Sequence, residues 1–198
     1  MRAEQRCAVY TLSVIKKIVV VSLVGIVMVL LALFIHELGH VLAALFLGVD
    51  ILRVHFFNFT VYPNFGIQEM QGFLGQVYWE KPFNDIYSGI ILLMGSLLTW
   101  IVSVFFIIIL YVRKARGGYV EQTILLLGSL MFLDLVTYSF GLRLSGFNEP
   151  QVAANYLAIP WGTFLISMAI LASIQLFFVV RYVYKREYFK LLIRAGQV

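Results

Sequence analysis

Residues 18–49 read IVVVSLVGIVMVLLALFIHELGHVLAALFLGV. From Ile18 to Ile35 this stretch carries no charge. That approaches the roughly 20 apolar residues needed to cross about 30 Å of hydrocarbon. His36-Glu37-Leu38-Gly39-His40 then interrupts the run, which resumes from Val41 to Val49. Three ionisable side chains inside an apolar helix are costly, and such residues are functional by default. The stretch therefore sets two expectations at once, a membrane span and a chemical site within it.

The rest of the chain agrees with the first expectation. Of 198 residues, 62% are hydrophobic and 13% charged, against about 45–50% and 25% in soluble domains. Such a composition excludes a soluble fold, because a water-facing surface needs more charge. Ile86–Val112 is a second uncharged run. Gln122–Leu142 is a third, broken only by Asp134, and Trp161–Val180 is the core of a fourth whose uncharged flank reaches back to Pro150. The first run is too long, and lacks the small-residue cleavage site, for a secretory leader. The sequence thus predicts an all-α membrane protein of a single domain, with four transmembrane helices near 18–49, 86–112, 120–142 and 156–180.

Basic residues are sorted by membrane side, which reads as contact with a lipid bilayer and not with nucleic acid. Arg2, Arg6, Lys16 and Lys17 precede the first run; Arg113, Lys114 and Arg116 follow the second; Arg181, Lys185, Arg186, Lys190 and Arg194 follow the fourth. By the positive-inside rule both termini are cytoplasmic, as four crossings require. The Asp50–Asp85 loop then faces the other side. It is too long for a plain connector, and its alternation and breaks at Pro63 and Gly66 predict strands over Ile51–Tyr62 and Gly66–Trp79 with a turn near Pro63-Asn64. Its aromatic content places this strand-containing loop, between the first and second spans, in the membrane interface.

His36-Glu37-Leu38-Gly39-His40 matches H-E-x-x-H. Residues four apart share a helix face, so both imidazoles can hold one Zn²⁺ while Glu37 acts as general base on the water it activates. Cys7 is the lone cysteine, which excludes a multi-cysteine site and an intrachain disulfide framework. A catalytic zinc has three protein ligands and one open position, so a further ligand is expected. At 1.5 Å per residue, His36 lies about 28 Å along its helix from Lys17, and Asp134 about 27 Å from Arg116 on a helix running the same way. Depth alone therefore brings Asp134 beside the motif, as a ligand or as a carboxylate orienting a ligand histidine. Glu149, at the outer end of the fourth run, and His55 are the other candidates, and all gather at the extracytoplasmic side.

HELGH followed by Val41-Leu42-Ala43-Ala44 in a long apolar helix resembles the site-2 protease family of intramembrane zinc metalloproteases. The layout is similar too: a motif helix, a strand-rich loop containing Gly72-Phe73-Leu74-Gly75, then further spans. Gly95-Ser96-Leu97-Leu98-Thr99 stands where the family has Gly-Pro-x-x-Asn, and Asp134-Leu135-Val136-Thr137 where it has Asn-x-x-Pro. Asn148-Glu149-Pro150 falls in the place of the family's Asp-Gly, so the resemblance implies Glu149 as third ligand. It also implies a zinc-dependent endopeptidase acting on membrane proteins, single-pass ones in particular. The departures leave a second expectation, a non-catalytic membrane protein that keeps the protease fold and binds or regulates partner helices. A metal-ion carrier is a further possibility, disfavoured because one span alone carries a clear ligand pair.

Overall fold

The structure, a computed structural model, describes residues 2–67, 75–82, 84–112, 119–140 and 149–185. With no proline before Pro63, nothing breaks the first helix early, and α1 runs Arg2–Phe46. It stops three residues short of the expected boundary because Gly48, at φ +70°, takes the left-handed conformation. Val49 N–H then donates to Ala44 O (2.9 Å) and Gly48 N–H to Leu45 O (3.2 Å). This is the Schellman closure, in which glycine avoids the Cβ penalty.

The chain next turns back along α1. β1 (Ile51–Phe56), β2 (Phe59–Tyr62), β3 (Gly66–Ile67) and β4 (Gly75–Trp79) form an antiparallel sheet in the order β3-β2-β1-β4. The expected strand over 51–62 is in fact a hairpin, turned at Phe57-Asn58 with Phe57 at φ +53°. The turn near Pro63-Asn64 is present between β2 and β3. Phe56, at the far end of β1, meets Phe34 of α1 with ring centroids 5.6 Å apart. Val49, Ile51 and Trp79 pack on Ala43 and Ala44 at the other end, so the sheet lies along α1 on both sides of the HELGH segment.

Asn84 caps α2 (Asp85–Val112) through its Oδ1, which accepts from Ile86 N–H at 2.9 Å. α2 is the central helix, packed on α1, on α3 (Tyr119–Phe140) and on α4 (Glu149–Tyr156). Its buried stripe of Ser88, Leu92, Gly95, Ser96, Thr99 and Ser103 follows helical spacing. Gly39 lets α1 touch it closely: a Cβ there would lie 2.9 Å from Gly95 Cα. The fourth span, expected over 156–180, is one helix beginning at Trp161, and the uncharged flank that reaches back to Pro150 folds as the separate α4. α4 ends as Ile159 N–H donates to Ala154 O (2.9 Å) around Ala158 at φ +54°, and Pro160 precedes α5 (Trp161–Lys185). That break makes Glu149 the first residue of a short separate helix.

Among the described residues, three helices are long and apolar enough to cross a membrane: Ser22–Phe46 of α1, α2, and α5. Val27, Phe105, Ile166 and Phe177 are more than half exposed on these helices. Water would penalise that surface whereas acyl chains would not, which is consistent with a chain embedded in a membrane.

Candidate metal centre

One turn apart on α1, His36 and His40 are both buried, their rings 4.9 Å apart between centroids and edge to face. Each ring is fixed from behind. His40 Nδ1 donates to the carbonyl of Ile91 on α2 (2.7 Å), and His36 Nδ1 lies 3.0 Å from Asp134 Oδ2 on α3. A carbonyl or ionised carboxylate only accepts, so in neutral rings the protons sit on Nδ1 and the lone pairs on Nε2. Those lone pairs face Glu149. Its Oε2 is 3.7 Å from His36 Nε2 and its Oε1 is 3.7 Å from His40 Nε2.

Donors bound at about 2.0–2.1 Å in a tetrahedral site stand roughly 3.4 Å apart. His36, His40 and Glu149 offer atoms that all lie within 4.8 Å of one another, and the two 3.7 Å separations come close to that requirement. This group can therefore hold a metal ion. Two imidazoles and one carboxylate form a donor set suited to zinc.

The floor of the group is backbone. A Cβ on Gly95 would lie 2.6 Å from His40 Nε2 and 2.7 Å from His36 Nε2, so only glycine lets α2 approach both nitrogens. Glu37, buried on the same helix, is met from the sheet side: a Cβ on Gly75 would stand 2.5 Å from its Oε1. Trp79 at the other end of β4 stacks on His40 at 6.2 Å between centroids. A cavity of about 460 Å³ opens here, lined by Glu37, His40, Glu149, Val77, Trp79 and Tyr156 among others.

Every candidate named from the sequence except His55 thus converges on one place. Glu149 stands at the Nε2 atoms and Asp134 at an Nδ1. His55, on β1, faces Thr60 across the hairpin at 3.3 Å and does not join the group. Its imidazole is held below its usual range by desolvation and then by the neighbouring Arg53 charge. Gly72, Phe73 and Leu74 lie outside the described residues. Sequence reasoning did not find the roles of Gly75, the Ile91 carbonyl or Thr99, whose hydroxyl donates to Asp134 Oδ2 at 2.6 Å. The signal for Thr99 was present in the Gly95–Thr99 segment, which marks α2 as the wall facing the motif. Comparison with protein-family models, curated proteins and solved structures returned no match for this chain.

Proposed function

We propose that the chain is an intramembrane zinc metalloprotease of site-2 protease type, cleaving membrane-protein substrates. The observation that carries this reading is the convergence of His36 Nε2, His40 Nε2 and both Glu149 oxygens at 3.7 Å, with the Glu37 carboxylate lining the same cavity. Zinc held there would supply Lewis-acid polarisation of water and of a peptide carbonyl. Glu37 takes a proton from the attacking water and returns it to the departing amide nitrogen, so the C–O bond forms as the C–N bond breaks and no proton is lost. His36, His40 and Glu149 do the holding.

A peptide must be extended before it can react, since a helix keeps its carbonyls internally bonded. β4 offers a place for that. It is the terminal strand of the sheet, with one side paired to β1, and its residues line the cavity. An extended substrate added to that edge gains main-chain hydrogen bonds. In this reading α3, about 33 Å long at 1.5 Å per residue, serves as a fourth crossing. Both termini are then cytoplasmic, the sheet lies in the opposite interface, and the site opens toward the extracytoplasmic side.

The test is Glu37→Gln in the purified chain with a single-pass membrane-protein substrate. Cleavage should stop while stoichiometric zinc is kept. Full cleavage by the variant removes Glu37 as the base, and an unmodified chain without zinc or cleavage leaves the non-catalytic reading in its place.

A further inference from the structure

The two histidines are held by chemically different partners. His40 Nδ1 faces a neutral backbone carbonyl, which any helix supplies. His36 Nδ1 faces a carboxylate on α3, 98 residues away in sequence. Asp134 is placed with some care: Thr99 of α2 donates to the same Oδ2 at 2.6 Å, and Ser96 Oγ stands 3.5 Å from His36 Nδ1. Oδ2 is thereby committed to Nδ1 and a hydroxyl, on the side of the ring away from Nε2.

We propose that Asp134 is a positioning residue that acts through His36, fixing its ring and supplying a second counter-charge to the metal. This rests on the metal-centre part of the protease reading. A dication buried among apolar helices needs compensating charge. Glu149 supplies one negative charge directly, and Asp134 supplies another through the imidazole, which also makes His36 the more basic ligand. Thr99 in turn orients Asp134, so α1, α2 and α3 are registered on a single ring. The arrangement explains why an acid is tolerated within α3, where an unpaired charge would be costly.

The experiment measures zinc affinity by chelator competition on the full detergent-solubilised chain, carrying Glu37→Gln so that turnover does not intervene. Cobalt spectra report coordination. Asp134→Asn keeps the shape and removes the charge; it should weaken zinc about 10–100-fold while leaving a four-coordinate cobalt spectrum. Thr99→Val should weaken zinc in the same direction by less, and the double variant should fall short of the product of the two effects. Glu149→Ala is the reference for losing a ligand, with altered cobalt coordination. Zinc affinity within about twofold of the parent in Asp134→Asn overturns the proposal. So does a cobalt spectrum matching that of Glu149→Ala, which would make Asp134 a ligand. Should Asp134→Asn fail to fold, Thr99→Val decides alone, since it leaves the carboxylate in place and an unchanged affinity there also overturns the role. Cleavage is read separately on the chain with Glu37 intact. Zinc binding that tracks Asp134, where that chain cleaves nothing, upholds the positioning role and counts against the protease. Intact cleavage with affinity indifferent to Asp134 does the reverse.

Discussion

Glycine at 95 and glycine at 75 do different work, and one added methyl group can separate them. At Gly95 the new carbon would press on both Nε2 atoms from 2.6 and 2.7 Å. Those rings are pinned behind by Ile91 and Asp134, so they have little room to retreat. Gly95→Ala should therefore reduce zinc content of the purified chain at least about 10-fold, the order found when ligand orientation is lost. At Gly75 the added carbon would meet the end of the Glu37 side chain, which can swing. Gly75→Ala should keep zinc and slow cleavage, because a general base moved out of line transfers its proton poorly. Metal analysis and a cleavage assay on the pair check this, and loss of zinc in Gly75→Ala would refute it. The motif itself was legible, since four-residue spacing on a helix is a property of the chain alone. The two glycines stood in segments that the family resemblance marked, but their roles were not legible, since what each must avoid comes from another element.

At the scale of elements, apolar runs predicted α2 and α3 to within a residue or two at the ends the structure describes, and failed where a turn lacks its usual residue. Asn-Gly or Asp-Gly would have announced the β1–β2 turn; Phe57-Asn58 does not, so one strand was expected where there are two. Ala158 hides the end of α4 in the same way, because alanine at a left-handed cap carries no signal. Gly48 closes α1 by the same bonds with the residue the geometry prefers. The two caps make opposite predictions. Gly48→Ala should cost about 1–2 kcal/mol, the penalty of a Cβ in the left-handed region. Ala158→Gly removes such a penalty, offset by the greater freedom of glycine in the unfolded chain, and should stabilise by roughly 0.5–1 kcal/mol. Thermal unfolding of both variants in one detergent is the check, and the sign at Ala158 decides. The consequence reaches the site, since α4 carries Glu149 at its first residue and Ala153 and Tyr156 pack it against Gly89 of α2.

Across the whole molecule the helices meet through small and polar residues rather than through an apolar core alone. Ser103 Oγ donates to Gly128 O and accepts from Gln175 Nε2, tying α2, α3 and α5 together. Tyr182 of α5 donates to Glu121 of α3 nearer the other end. Between these two groups lie Ile107 and Leu110, both almost fully buried, so among the described residues the polar pairs act as separate clasps. That arrangement suits hydrocarbon, where apolar contact between helices gains nothing over lipid and close packing with hydrogen bonds does the joining. α3 belongs to this set of clasped helices, and whether it crosses the membrane decides the topology. With α3 as a fourth crossing the ends of the chain share one side; with three crossings they part. Native Cys7 offers one label, and Lys185→Cys in a Cys7→Ser chain offers the other. Asn58→Cys, in the same background, reports the sheet. A membrane-impermeant thiol reagent applied to intact cells should label position 58 and spare positions 7 and 185, and permeabilisation should expose the latter two together. Labelling that divides position 7 from position 185 would place an odd number of crossings between them and remove α3 as a span.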